Sequence, residues 1–114
     1  MKKCTLSANK GDSPREGVKR KVIRGDSLEF VQYTYEGGST FPVHSHRAEQ
    51  VTWVVSGELI FRTPDSNPPE EITLSPGELV VIPSDEPHGA SVPDSCEETV
   101  TCNVFSEIRK DLPG

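Results

Sequence analysis

Nine glycines and ten prolines cut this 114-residue chain into pieces too short for an ordinary helix. Between the breaks, apolar residues recur at every second position, the repeat of a half-buried strand. Residues 17–24 and 27–36 alternate in this way, and Gly37-Gly38 ends the second run. Further strand-like segments follow at 40–46, 50–56, 57–63, 72–75, 78–83, 88–92 and 98–106, with 64–71 a loop by composition. No segment of ten or more residues carries a helical period. Short strands at regular spacing bury their apolar faces by closing on one another, so the pattern predicts an all-β sandwich or barrel. The length suits one domain. We divide the chain into a loose basic arm (1–16), a single β-barrel domain (17–109) and a C-terminal tail (110–114).

Charge is unevenly spread. Residues 1–24 hold eight of the twelve Lys/Arg and only Asp12 and Glu16, whereas the remainder is strongly acidic within a net charge of −6. A basic arm can touch nucleic acid, but this one has no interleaved aromatics and no recognition-helix pattern. The acidic body would repel a phosphate backbone, so no nucleic-acid partner is expected. No apolar run approaches the ~18 residues of a membrane span, and no apolar stretch follows the first lysines. Cys4, Cys96 and Cys102 are odd in number and irregular in spacing, which suggests free thiols in a reducing compartment. The expected location is cytoplasmic, without membrane association.

The chain has three histidines, all in two tight Gly/Pro-bounded segments: His44 and His46 in FPVHSHRAEQ, and His88 in IPSDEPHGA. Imidazole is the commonest side-chain metal ligand near neutral pH. On a strand, residues i and i+2 share a face with Cα atoms about 6.5 Å apart, so two imidazoles can converge on one ion. Gln50 opens the next strand and can add its amide oxygen, and a closed β-structure would deliver His88. Glu49 is the alternative to Gln50 but faces the opposite side of the strand. Three imidazoles and one oxygen leave positions for water or substrate, as catalytic sites do. A lone His-x-His can equally be two exposed polar positions on an edge strand.

The spacing of Gly38, His44-Ser45-His46, Gln50 and Gly57 resembles the first motif of the cupin superfamily. Gly77, Pro83, Asp85 and His88 resemble the second. The resemblance spans residues 17–109. It implies a jelly-roll β-barrel, the cupin double-stranded β-helix, with a divalent metal inside bound by His44, His46, Gln50 and His88. Gln50 stands where the first motif usually has Glu, Asp85 where the second often has Gly, and Val92 where it ends in Asn. A neutral amide is a weaker donor than a carboxylate and leaves the full +2 charge to act on bound water or substrate, which favours Lewis-acid work. Zn, Ni, Mn, Fe and Cu all accept such a donor set.

GVKRKVIRGD, HSHRAEQVTWVVSGEL, IPSDEPHGA and CNVFSEIRKDL are similar to the small cupins of the pectin-degradation type. Those proteins open unsaturated uronic acid monomers to the keto form. The resemblance implies sugar contacts from Phe105 and Arg109, and puts Asn103 where that group has a catalytic aspartate. An amide cannot exchange a proton near neutral pH, so ring opening should be weak, and Asn103→Asp is expected to raise it. Trp53, Phe41, Phe61 and Tyr33 are candidates to line a pocket or fill the core, and Arg62 to pair with a substrate carboxylate. Three functions follow: a Lewis-acid isomerase, lyase or hydrolase on a small polar or sugar-acid substrate; a metal-dependent dioxygenase; or a non-catalytic cupin that binds a small molecule or metal. A homodimer joined through residues around 18–35 is expected, because sheet edges need covering.

Overall fold

The structure is a computed structural model that describes residues 1–106; the predicted tail at 110–114 lies outside them. Among the described residues, ten strands form two antiparallel sheets. The larger runs in the order β1 (Asp12–Arg15), β2 (Val18–Arg24), β3 (Glu29–Glu36), β10 (Glu98–Phe105), β5 (Gln50–Ser56) and β8 (Leu79–Ile82). The smaller runs β4 (Thr40–His44), β9 (His88–Ser91), β6 (Leu59–Thr63) and β7 (Glu70–Leu74). This is the all-β sandwich that the alternating segments predict, in the jelly-roll form that the cupin resemblance implies. No helix among the described residues is long and apolar enough to cross a membrane.

Alternation decides what each strand buries. Glu29, Val31, Tyr33 and Tyr35 of β3 face inward, as do Gln50, Thr52 and Val54 of β5. The apolar core joins the two sheets through Val18, Val31, Val54, Leu59, Leu74 and Ile82. These six side chains are almost completely buried. Burial of one such side chain stabilises the fold by ~1.5–3 kcal/mol, before the ordering entropy is counted.

Several segments differ from the sequence expectation, among them β3 and β6, which begin two residues later than predicted, at Glu29 and Leu59. The strand predicted over 40–46 ends at His44, and β7 begins two residues before the predicted 72. The segment read as a loose arm contains a 3₁₀ turn (Leu6–Ala8) and β1, which pairs with β2. Its polar side chains bond to the sheet: Ser13 Oγ donates to Val18 O at 2.7 Å, and Arg20 forks onto Asp12 at 2.8 and 2.9 Å. Lys21 Nζ also reaches Leu6 O at 2.8 Å. Polar composition hid a strand whose outer edge faces solvent.

The motif positions have local causes. Gly57 has φ +81°, and a Cβ there would run into the Thr99 hydroxyl and the Glu98 carbonyl. Asp85 also has a left-handed backbone, φ 64°, so its departure from Gly keeps a residue type that tolerates this conformation. The turn matters because Asp85 N–H donates to His46 O at 2.8 Å. The Ser84 hydroxyl donates to Arg47 O. These bonds strap the loop that carries His46 to the loop that leads into His88.

Candidate metal centre

The inner face of the larger sheet is unusually polar. Thr52, Thr99, Thr101 and Asn103 are each no more than 1% exposed, yet they point between the sheets. A cavity of about 300 Å³ lies there, and Gln50, Asn103 and Phe105 line its sheet side. His44, Phe61, His88 and Ala90 line it from the smaller sheet.

The three histidines cluster at this cavity: His44 and His88 line it, and His46 stands beside them. His44 ends β4 and pairs directly with His88 at the start of β9. Phe41 and His44 both face the cavity although they are three residues apart; a bulge between them shifts the register. His46 lies just past β4, in the strapped loop rather than on the strand. The ring centroids are 4.6 Å (His44–His88), 5.0 Å (His46–His88) and 5.5 Å (His44–His46) apart. One ring nitrogen from each lies within 4.8 Å of the others, so the cluster could hold a metal ion.

The main chain sets which nitrogen is available. His44 Nδ1 lies 3.0 Å from Pro42 O, His46 Nδ1 2.8 Å from Ala48 O, and His88 Nδ1 2.8 Å from Glu86 O. A carbonyl only accepts, so each Nδ1 donates to the main chain and each Nε2 is the nitrogen left for the site. Such outer hydrogen bonds orient metal-binding imidazoles.

Gln50 is oriented by a one-way relay. Asn103 Nδ2 donates to Val31 O and Thr101 Oγ1, both at 3.0 Å. Its Oδ1 therefore faces Thr52, whose hydroxyl donates to it at 2.5 Å. Thr52 Oγ1 in turn accepts from Gln50 Nε2 at 2.8 Å. Gln50 Oε1 is left pointing at His46 Nε2, 2.9 Å away. Two acceptors at that distance repel unless a proton or a cation lies between or beside them. Adjacent donors at right angles on an ion with bonds of ~2.1 Å would be about 3 Å apart. The donor set thus fits a divalent ion, and it contains no carboxylate.

The other candidate residues divide. Glu49 is exposed, and its backbone N–H is held by Ser106 Oγ at 2.9 Å. Phe105 lies in the cavity wall with its ring edge-on to His46 at 5.6 Å. Tyr33, Phe41 and Phe61 also line the cavity. Trp53 does not: it faces outward between Gln50, Thr52 and Val54, which face in, and it pairs with Leu79 and Cys102. Arg62 is likewise on an outer face, where Glu71 (3.0 Å) and Ser91 (2.6 Å) hold its guanidinium. Alternation with the inward Phe61 decides this. Arg109 lies outside the described residues. Cys102 faces away from the cavity, and burial pushes its thiol up, which makes it a poor proton carrier.

Two contributors escaped the sequence reading. Thr52 follows Gln50 by two positions and so shares its face, a signal that alternation alone carries. Arg20 sits between Val18 and Val22 in the same inward row, and it lines the cavity with Pro14 and Tyr35.

A cupin-domain family model matches residues 31–100. Three solved structures share the fold: an RmlC-like cupin from Shewanella frigidimarina, KdgF from Halomonas sp. and the polyketide cyclase RemF from Streptomyces resistomycificus. The first is 24% identical with a TM-score of 0.82, covering 95% of this chain and 92% of that one. KdgF is 24% identical with a TM-score of 0.81, covering 94% of each chain. RemF is 21% identical with a TM-score of 0.78, covering 96% of this chain and 82% of that one. No protein in the curated comparison matches the chain. The matched span contains both histidine segments and Gln50. With a jelly roll built around a three-histidine cluster, the chain belongs to the cupin family.

Proposed function

We propose that this chain is a metal-dependent cupin that acts on a small sugar-acid or other carbonyl-bearing substrate. One divalent ion is held by His44, His46, His88 and the Gln50 oxygen. The observation that carries the reading is the cluster of three imidazoles, each fixed at Nδ1 by a main-chain carbonyl, with an amide oxygen beside His46 and no carboxylate in the cluster among the described residues. Such an ion supplies Lewis-acid polarisation of a substrate oxygen. Phe105, Phe61 and Phe41 provide ring faces for the apolar side of a sugar and exclude water. The sequence resemblance to pectin-degradation cupins and the structural likeness to KdgF support this substrate class.

Asn103 favours a second reading, a cupin that binds its ligand without turning it over. Its amide is committed to Val31, Thr101 and Thr52 and has no proton to exchange. Elemental analysis of untagged protein should give one divalent ion per chain. The loaded protein should then be assayed for decay of the ultraviolet absorbance of unsaturated uronates. Metal with slow turnover supports the first reading, and metal with saturable binding but no turnover supports the second. Absence of metal from native and metal-soaked protein would sink the first.

A homodimer and a cytoplasmic location belong to the same proposal. The outer face of the larger sheet carries an apolar stripe: Leu79, Val81 and Val55 are 58, 53 and 52% exposed, and Val51, Trp53 and Val104 lie beside them. The stripe reaches Phe30 and Ile23, inside the 18–35 range expected from sequence. Light scattering should give twice the 12.5 kDa chain mass, and Leu79→Asp with Val81→Asp should give monomer. A wild-type monomer at micromolar concentration would count against the dimer.

A further inference from the structure

The cavity has a second chemically distinct end. Arg20 enters it from β2, opposite Tyr33 of β3, with a side chain only 10% exposed. Asp12 on β1 takes Nε and Nη2 of the guanidinium in a fork and fixes its plane. Burial works against the charge, but Asp12 and Tyr33 more than offset it, so the guanidinium stays ionised. Arginine has five N–H donors; the fork uses two, and Tyr33 also hydrogen-bonds the guanidinium. Between this end and the histidines stand aromatic walls. Tyr33 and Tyr35 are stacked at 5.6 Å, and Phe41 meets both edge-on at 5.5 and 5.9 Å. The Arg15 guanidinium covers the Phe41 ring at 5.6 Å, closing β1 against β4.

Among the described residues that line the cavity, Arg20 is the one with a formal charge, and none is acidic. A divalent ion at the other end would add to the same sign. A cavity with a guanidinium at one end, room for a cation at the other and no carboxylate among its described lining residues favours an anionic ligand. The aromatic rings between the ends favour a compact body with an apolar or π face over a bare inorganic anion. A guanidinium held in plane suits a carboxylate, which it meets through paired N–H groups.

We propose that Arg20, held by Asp12, is the carboxylate-recognition residue of this site, which takes small carboxylic acids that lie along the aromatic wall with another oxygen toward the histidines. The orientation of that second oxygen rests on the metal reading above, whereas the Arg20 contact does not. The N-terminal strand thereby becomes part of the binding site.

Benzoate and benzamide form a test pair of nearly equal shape that differ in charge. Titrations use the full chain as purified and again after chelator treatment. In both states wild type should bind benzoate about 10- to 100-fold more tightly than benzamide, the range expected for a charge-assisted hydrogen-bonded pair. Arg20→Gln should abolish that preference while leaving metal content unchanged, and Arg20→Lys should retain part of it. In wild type, benzoate should shift the Arg20 Nε–H resonance, a readout that needs no variant. Equal binding of the two probes overturns the proposal, as does the absence of saturable binding by either. A preference that survives Arg20→Gln and vanishes with chelation also overturns it, because the carboxylate would then be going to the metal. Loss of metal binding alone sinks the metal reading and leaves the chelated titration decisive for Arg20.

Discussion

His46→Ala should reduce bound metal from about one ion per chain to near zero in elemental analysis after dialysis. Outer hydrogen-bond partners of metal ligands are worth ~10–100-fold in affinity, and removal of a ligand should exceed that. His46 is the sensitive choice because two contacts converge on it: Ala48 O fixes its ring at 2.8 Å, and Gln50 Oε1 faces its Nε2 at 2.9 Å. Glu49→Ala is the control. Its side chain is exposed, so occupancy should stay unchanged. Full occupancy in His46→Ala, or its loss in Glu49→Ala, would show that the ligand set is drawn wrongly.

Asn103→Asp should destabilise the fold by about 3 kcal/mol at pH 7 in denaturant titration. A carboxylate can accept from Thr52, but it has nothing to donate to Val31 O, 3.0 Å away in a site 1% exposed. Burial beside a carbonyl should raise the new carboxyl above its unfolded value, since the protonated form alone can donate there. The sign follows. Below the unfolded carboxyl pKa both states are protonated and the penalty is smallest. It grows as pH rises through that value, because only the unfolded chain ionises freely. The variant should therefore lie closest to wild type near pH 3–4, in the range of a free carboxyl. A constant deficit across pH would show that the lost amide contact, not the buried charge, is responsible. The structure thus adds a cost in stability to the change that the sequence expects to raise the rate. Asn103 positions the Gln50 oxygen through Thr52, and an aspartate would have to rebuild that relay before it could help any proton transfer.

The three-histidine cluster was legible because its positions follow from spacing. His44, His46, Gln50 and His88 stand in two short motifs, and the glycines and Asp85 beside them sit at backbone conformations that most residues avoid. The strands were legible because alternation is a local property: a residue's face depends on its neighbours at i±2. The same rule would have sent Arg62 and Trp53 outward, since Phe61 and Thr52 next to them face in.

What the sequence by itself determined is therefore the all-β class, from short-range alternation, and the histidine cluster with its jelly roll, from the spacing that resembles the cupin motifs. Tertiary structure decided the rest. It put β1 on the sheet edge beside β2, against the expectation of a loose arm, because its partners lie across a turn that composition does not reveal. It joined Asn103 to Thr52, 51 positions earlier, and to Val31, 72 positions earlier. It also gave an arginine between two valines a cavity to face. The direction of a hydrogen-bond relay and the charge around a cavity depend on which strands become neighbours. That is fixed only when the two sheets close on each other.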